Sequence, residues 1–267
     1  MIIDFHTHIF PDKIAKKTID FLAAKGNVTP YSDGSVNGLL NEMEKGNADL
    51  AIALPVLTNP LQFDSVNRFA AEVNRTFGDQ KRKIVSFGGI HPKCEDIDGK
   101  MKLLKEQGFS GVKIHPDYQE TFINDEGYLQ ILNCAKECDL TVVTHAGIDI
   151  GYRDQPVRCP PQLAKEVIRA VGHPKLVLAH YGASEQWDEV YDLLCGENVY
   201  FDTAFCLRFI EREQFCKILE KHGADKILFA TDSPGGSIKE DVEILRSFDL
   251  GDEITDKILY KNALKLL

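Results

Sequence analysis

The sequence predicts an α/β protein that folds as a single (β/α)8 barrel, a TIM barrel, spanning residues 1–267. Three observations support this fold class: the chain length, the number of apolar runs, and the absence of a GxGxxG turn after the first run. A barrel of this kind takes about 250 residues. A doubly wound open sheet could hold as many strands, but it would carry the glycine-rich turn. No linker or low-complexity segment divides the chain, so we expect one domain.

Eight short apolar runs alternate with helical stretches along the chain, which is the order of a (β/α)8 barrel. The predicted strands are IIDFHTH (2–8), DLAIALPV (49–56), KIVSFGGIHP (83–92), FSGVKIHP (109–116), LTVVTHAG (140–147), KLVLAHYG (175–182), NVYFDTA (198–204) and KILFATDSP (226–234). Apolar residues at three- and four-residue spacing predict amphipathic helices between them, for example over 128–138, 161–171 and 213–223. Asn124 or Asp125 is a plausible N-cap for the first of these helices.

Composition and charge restrict the kinds of partner that the protein can have. Acidic residues exceed basic residues by 41 to 31, for a net charge of −10, which argues against nucleic-acid and anionic-membrane partners. No apolar run approaches the roughly 20 residues of a membrane span. The N-terminus lacks the basic segment of a signal peptide, so we expect a cytoplasmic protein. The seven scattered cysteines are predicted to be reduced thiols.

Histidines cluster at the C-terminal ends of the predicted strands, where barrels of this kind carry their active sites. Six of the eight histidines lie there: His6 and His8 on the first strand, His91 on the third, His115 on the fourth, His145 on the fifth and His180 on the sixth. Asp232 ends the eighth strand. Chance would place about one histidine at such positions, given the usual size of the fold. The clustering therefore predicts a functional site.

Strand alternation suggests how part of this set could meet. His6 and His8 share a face of the first strand, because every second side chain points the same way. If the faces of His145 and Asp232 also point inward, these four side chains converge on the barrel axis. Three imidazoles and a carboxylate suit a divalent first-row metal, with zinc as the leading candidate and manganese as an alternative.

The motifs DFHTH, VVTHAG, LAHYGA, ILFATDSP and KNALKLL together resemble the amidohydrolase superfamily. They are similar in particular to its amidohydrolase-related branch, which contains aminocarboxymuconate-semialdehyde decarboxylase and related aromatic-acid decarboxylases beside many hydrolases. The resemblance runs from residue 4 to the C-terminus. It implies that His6, His8, His145 and Asp232 are metal ligands, and that His180 positions or polarises water or substrate. A homodimer is compatible with it, since superfamily members are often dimers or larger.

Several other polar residues are candidates for binding substrate or for orienting the ligands. Lys113 shares a strand face with His115. In binuclear superfamily members a carboxylated lysine on this strand bridges two metals, but we expect Lys113 to bind a substrate carboxylate beside a single metal. His115 is either a substrate contact or a structural ring. Arg153 either holds a carboxylate from the long segment after the fifth strand or is a solvated surface residue. Asp4 and Asp202 are expected to hydrogen-bond to ligands.

We therefore expect a metal-dependent hydrolase that cleaves an amide, lactone or related carbonyl bond of a small molecule with metal-activated water. In this hypothesis Asp232 takes the proton of water and passes it to the leaving group, while His180 and the metal stabilise the oxyanion. The alternative is a metal-dependent, non-oxidative decarboxylase of a small aromatic or unsaturated acid. The compact chain favours hydrolysis, because decarboxylases of the branch tend to be longer.

Two further alternatives count for less. A phosphoesterase of the polymerase-and-histidinol-phosphatase type also begins with an HxH strand, but it has a seven-stranded barrel and more metal ligands. A non-catalytic metal-binding barrel would be marked by the loss of a ligand, whereas this chain retains the four-residue set.

Overall fold

The computed structural model describes residues 1–267, and its parallel strands confirm the predicted barrel. The strands are β1 (Ile3–Thr7), β2 (Leu50–Ala53), β3 (Lys83–Ser86, resumed at Gly88–Gly89), β4 (Gly111–Ile114), β5 (Thr141–Thr144), β6 (Leu176–Leu178), β7 (Tyr200–Asp202) and β8 (Ile227–Leu228). Each strand pairs in parallel with the next along the chain. The break in β3 falls at Phe87, a fully buried residue.

The barrel closes between its first and last strands. The Phe5 N–H donates to the Phe229 carbonyl oxygen at 2.9 Å, and the Asp232 N–H donates to the His6 carbonyl oxygen at 2.9 Å. A third hydrogen bond extends this closure, because the His8 N–H donates to the Ser233 carbonyl oxygen. This closure brings the DFHTH segment beside Asp232, although more than 220 residues separate them in the chain.

Helices cover the outside of the barrel. They are α1 (Asp12–Gly26), α2 (Val36–Lys45), α3 (Phe63–Phe77), α4 (Ile97–Glu106), α5 (Glu126–Glu137), α6 (Pro161–Val171), α7 (Trp187–Leu193), α8 (Arg212–His222), α9 (Ile238–Ser247) and α10 (Asp252–Asp256). Asp125 caps α5 by accepting a hydrogen bond from the Gly127 N–H, which selects it over Asn124. None of the helices has the length and hydrophobicity needed to span a bilayer, and no cysteine forms a disulfide.

The interior of the barrel corrects one expectation from strand alternation. Ile3 and Phe5 belong to a small cluster of buried apolar side chains inside the barrel. Simple alternation would therefore turn His6 away from the barrel interior. The register of β1 on β2 shifts between Asp4 and Thr7, and this irregularity breaks the alternation next to His6. For β5 and β8 the expectation is confirmed, because the cluster contains Val143 and Ala230, which lie two residues before His145 and Asp232.

Candidate metal centre

Three of the four predicted metal ligands meet at the C-terminal mouth of the barrel. His6 Nε2 lies 3.2 Å from His8 Nε2. Asp232 Oδ1 lies 3.0 Å from His8 Nε2 and 3.6 Å from His6 Nε2. The two histidines come from the end of β1, and the aspartate comes from the segment that follows β8 and is joined to β1 at the closure.

The hydrogen-bond partners of the two rings determine where their protons lie. His8 Nδ1 is 2.8 Å from the carbonyl oxygen of Leu54, which can only accept, so Nδ1 carries the proton. His6 Nδ1 is 2.8 Å from Asp202 Oδ2 and likewise donates to it. Burial, reinforced by the Lys113 ammonium, lowers the pKa of His6 to about 4, so this ring is neutral at physiological pH.

The arrangement fits a divalent cation. Two imidazole lone pairs and a carboxylate oxygen converge, and a divalent cation between them would relieve their mutual repulsion. The outer nitrogen of each ring is held by a carboxylate or a backbone carbonyl, which is how proteins orient histidine ligands of metals. Asp202 also accepts from the N–H groups of His180 and Ala204, each at 3.0 Å. Burial opposes ionisation of Asp202, but His6, His180 and Lys113 together outweigh it and lower its pKa.

His145 lies outside this group of three and contacts His180 instead. His180 Nδ1 is 2.9 Å from the carbonyl oxygen of Ala204 and therefore carries the proton. His180 Nε2 then accepts from His145 Nδ1 at 2.8 Å. The ligand atoms of His6, His8 and Asp232 lie within 4.8 Å of one another, and His145 forms a second such group with His115 and Asp149.

The second group suits proton donation better than metal binding. His115 Nδ1 accepts from the Tyr118 N–H at 3.3 Å, so the proton of this ring lies on Nε2. That atom is 3.4 Å from Asp149 Oδ2. The His115 ring is stacked between Tyr118, at 3.9 Å, and His145, at 4.3 Å. Sequence reasoning missed Asp149 and Tyr118, which follow β5 and β4 in segments without periodicity.

Lys113 lies at the centre of the site, inside the barrel. Its side chain is 1% exposed, and Nζ lies 3.1 Å from His6 Nε2. Burial lowers its pKa to about 8, while the nearby carboxylates of Asp202 and Asp232 oppose the shift, so the amine is still mostly charged at neutral pH. The predicted position of Lys113 beside the ligands is therefore observed.

Two residues considered from the sequence lie away from the site. The Arg153 guanidinium pairs with the Glu185 carboxylate at the surface, with 55% of its side chain exposed. Arg153 does not line the cavity at the barrel mouth. Asp149 and Ile150, from the same segment after β5, do line it. The substrate-binding interpretation of Arg153 therefore has no contact to support it. His91 is also outside the cavity, where its Nδ1 accepts from the Lys93 N–H.

A cavity of about 360 Å³ stands over the candidate centre. Its floor consists of the polar groups described above: His6, His8, Lys113, His115, His145, Asp149, His180 and Asp232. Its walls are mainly aliphatic and aromatic, with Ile19 and Leu22 from α1 on one side and Phe205 on another. This volume and lining are typical of sites for small organic ligands. The wall formed by α1 was not predicted from the sequence.

Two floor residues have left-handed backbones, which non-glycine residues rarely adopt. His180 has φ 60° and Asp232 has φ 62°. Such conformations cost of order 1–3 kcal/mol each and concentrate at functional sites. Here each follows a strand and turns its side chain towards the neighbouring rings.

An eight-stranded parallel barrel with histidines, a lysine and carboxylates at its C-terminal mouth defines the class of metal-dependent barrel enzymes. The chain belongs to the amidohydrolase family, whose family model Amidohydro_2 matches residues 3–267. The resemblance seen in the sequence motifs is thus confirmed. A search of curated proteins finds no match.

Solved structures share the fold over nearly the whole chain. The uncharacterized TIM-barrel protein Bb4693 from Bordetella bronchiseptica has a TM-score of 0.77 and 17% identity, covering 99% of this chain and 97% of that one. A dihydroxybenzoic acid decarboxylase from Polaromonas sp. JS666, with bound manganese and the inhibitor 2-nitroresorcinol, has a TM-score of 0.70 and 14% identity, covering 99% and 96%. The 5-carboxyvanillate decarboxylase of Sphingomonas paucimobilis has a TM-score of 0.68 and 14% identity, and the match covers 99% of this chain and 98% of that one. At these identities the likeness establishes the fold.

Proposed function

We propose that the protein is a metal-dependent, non-oxidative decarboxylase of a small aromatic or unsaturated carboxylic acid. The observation that carries the proposal is the buried ammonium of Lys113, placed beside the candidate ligands at the floor of a cavity with apolar walls. A planar apolar acid matches this distribution, since its carboxylate reaches the charged floor while its body contacts the walls.

The comparisons favour this alternative over the hydrolase expected from the sequence. Two of the solved structures described above are named as decarboxylases of aromatic acids. The expectation of hydrolysis relied on the compact chain. The alignment runs over 98% of the 5-carboxyvanillate decarboxylase chain, so the shorter chain keeps the fold of that enzyme from end to end.

His6, His8 and Asp232 would hold the metal, with His145 and His180 beside it. A divalent metal bound there supplies a Lewis acid for substrate oxygens. Zinc and manganese both suit these nitrogen and oxygen donors. The Lys113 ammonium would hold the carboxylate that leaves as carbon dioxide. The electron pair of the broken carbon–carbon bond stays on the substrate carbon, which then takes a proton.

Two proton-bearing atoms of the floor are placed to serve the substrate. Lys113 Nζ lies 3.1 Å from His6 Nε2, and its protons would turn to the substrate when a metal occupies that lone pair. His115 Nε2 carries the proton that faces Asp149. The apolar walls from α1 would exclude water from the carbon that loses its carboxylate. Each turnover then exchanges one carboxylate for one proton and consumes no water.

Hydrolysis is the second candidate, because the cavity also contains acceptors for a proton from water. These are the Asp232 carboxylate and His180 Nε2, whose ring proton lies on the other nitrogen. A hydrolase would use Asp232 as the sequence analysis expects. The two candidates differ in their products, so one experiment separates them.

The test loads purified protein with manganese or zinc and offers it 2,6-dihydroxybenzoate, 5-carboxyvanillate and related acids, together with esters, lactones and amides. We expect release of carbon dioxide and, in deuterium oxide, one deuteron on the carbon that lost the carboxylate. Hydrolysis of an ester, lactone or amide without carbon dioxide release would instead establish the second candidate. If the metal-loaded enzyme formed neither product, both candidate functions would be contradicted.

Lys113→Met tests the observation on which the proposal rests. This change keeps an unbranched apolar stem and removes the charge, so we expect kcat/KM for the acid to fall by about 100-fold or more, in line with the loss of a charged hydrogen bond of about 3 kcal/mol. Metal content should stay unchanged, because Lys113 is not among the candidate ligands. The matched control is Lys105→Met on the exposed face of α4. Equal activity of Lys113→Met and wild type would contradict the proposed role.

A further inference from the structure

Two buried polar atoms face each other beside the candidate centre without a hydrogen bond. His145 Nε2 and Asp117 Oδ2 lie 3.6 Å apart, and neither atom has a hydrogen-bond partner. Their side chains are 6% and 3% exposed, so water does not readily serve them. Leaving a buried polar atom without a partner destabilises the folded protein, so each such atom calls for a physical reason.

The position of the His145 proton explains why these atoms do not pair. When the His180 ring is neutral and donates from Nδ1 to the Ala204 carbonyl oxygen, its Nε2 is a lone pair that accepts. The 2.8 Å contact between His180 Nε2 and His145 Nδ1 therefore requires a proton on His145 Nδ1. His145 Nε2 is left as a bare lone pair that faces a carboxylate oxygen.

The other tautomer of His145 would satisfy the contact with Asp117 but would disrupt the contact with His180. A proton on Nε2 would point at Asp117 Oδ2 and satisfy both unpartnered atoms. His145 Nδ1 and His180 Nε2 would then be two lone pairs only 2.8 Å apart. A cation on that side removes this repulsion, so metal binding and the second tautomer favour each other.

Asp117 is held independently of His145. Its Oδ1 lies 3.4 Å from the Arg158 backbone nitrogen and 3.5 Å from the Arg158 guanidinium. This arrangement leaves Oδ2 free to face His145. It parallels the pair formed by Asp202 and His6 on the other side of the site, where the carboxylate already accepts the ring proton at 2.8 Å.

We propose that Asp117 is the positioning residue of His145: it accepts the Nε2 proton when a divalent metal binds, and so frees His145 Nδ1 as a metal ligand. The predicted ligand role of His145 thus depends on a tautomer change together with an approach of its ring to the group formed by His6, His8 and Asp232. The inference rests on the metal binding of the proposed function, and it names the residue that couples His145, the fourth predicted ligand, to that metal.

The first measurement uses the wild-type protein alone. Nitrogen-15 NMR of labelled histidines distinguishes a protonated ring nitrogen from a bare one, and His145→Gln identifies the signal of His145. We expect the proton of His145 to lie on Nδ1 in the metal-free protein and on Nε2 after zinc is added. A tautomer that stays the same in both states would overturn the proposal.

The second measurement compares zinc dissociation constants, obtained by competition with a chromophoric chelator. Asp117→Asn keeps the shape of the side chain, but its amide can donate to His145 Nε2 and hold the unfavourable tautomer. We expect zinc binding to weaken by about 10–100-fold, as for other residues that orient metal ligands. Arg158→Gln is the matched control, because it removes the ion pair of Asp117 and leaves the carboxylate; its zinc affinity should stay within about threefold of wild type.

Each outcome decides between the inference and the proposed function. Zinc affinity of Asp117→Asn close to that of wild type would overturn the inference alone. An equal loss in Arg158→Gln would also overturn it, because the effect would then come from the loop structure. Failure of the wild type itself to bind zinc or manganese would overturn both the inference and the proposed function.

Discussion

At the scale of single residues, backbone oxygens decide which nitrogens of the site are free. The carbonyl oxygens of Leu54 and Ala204 take the Nδ1 protons of His8 and His180. Nε2 of each ring is then a lone pair that faces the interior of the site. A metal-binding imidazole carries its proton on the nitrogen that faces away from the metal, and these two carbonyl oxygens hold it there.

Asp232→Asn should disable the centre. Asp232 contributes the only carboxylate oxygen within the group of three ligand atoms, and an amide is a weaker, uncharged donor. We expect turnover to fall by more than about 100-fold and zinc to bind at least about tenfold more weakly, which elemental analysis after dialysis and steady-state kinetics would measure. Asp225→Asn, at a surface ion pair with Lys257, is the control and should behave as wild type. Full activity of Asp232→Asn would refute the assignment.

At the scale of elements, irregular strand ends create the site. The register shift in β1 and the left-handed residues after β6 and β8 turn polar side chains to the mouth, whereas regular strands would continue the apolar alternation. One wall of the cavity comes from α1 and the chain that follows it. Two helices, α1 and α2, lie between β1 and β2 in the chain. Under the proposed function, α1 would therefore contact the body of the substrate.

The C-terminal end of α8 carries a histidine whose titration should make stability depend on pH. The His222 ring stacks on Phe201 at 3.9 Å, donates to the Val199 carbonyl oxygen at 3.0 Å and accepts from the Gly196 N–H. Burial lowers its pKa to about 4. The unfolded chain, with a histidine pKa of about 6.5, binds the extra proton first as the pH falls. The free energy of unfolding should therefore decrease between about pH 6.5 and pH 4, and stay at its full value above that window.

Chemical denaturation across this pH range would measure the effect. The contribution of His222 is at most about 1.4 kcal/mol per pH unit. His222→Phe keeps a ring against Phe201 but cannot take up the proton, so its stability should depend less steeply on pH, at a cost from the lost hydrogen bonds. Other buried histidines, such as His173, titrate in both proteins and cancel in the comparison. Identical slopes for the two proteins would show that His222 is not responsible.

At the scale of the whole molecule, closing the barrel assembles the site from distant parts of the chain. Side chains from the ends of β1, β4, β5 and β6 and from the segment after β8 share one cavity. The folded barrel brings the ligand atoms together, whereas the unfolded chain does not. A metal that binds the folded state alone must therefore stabilise the protein.

Metal removal should lower the thermal stability of the wild type. A free zinc concentration about 100 times the dissociation constant adds about 2.7 kcal/mol to the free energy of unfolding. For a domain of this size, that is a rise in Tm of several degrees, at about 2–4 °C for each kcal/mol. Thermal denaturation with chelator and with added zinc would measure it, and Asp232→Asn should show a much smaller rise. A wild-type Tm that is the same with chelator and with zinc would count against a metal centre.

The barrel and most of its polar floor could be predicted from the sequence, because both depend on local patterns. Apolar runs of strand length alternating with amphipathic helices indicate the fold, and polar residues at strand ends mark the mouth. His6, His8, Lys113 and Asp232 were found in this way, and they lie together as expected. Asp202 hydrogen-bonds to His6, a candidate ligand, and the role of His6 as a ligand stays a prediction.

Other features depend on contacts that no local pattern encodes. Pairing of Asp117 with His145, the place of Asp149 beside His115 and the surface position of Arg153 depend on how loops fold over the closed barrel. Proton positions on the rings likewise follow from backbone oxygens of other strands. Strand periodicity specifies which face a side chain takes where the strand is regular, as for Lys113 in β4, whereas His6 and His180 lie where regularity ends. Their distances and tautomers are therefore properties of the assembled barrel.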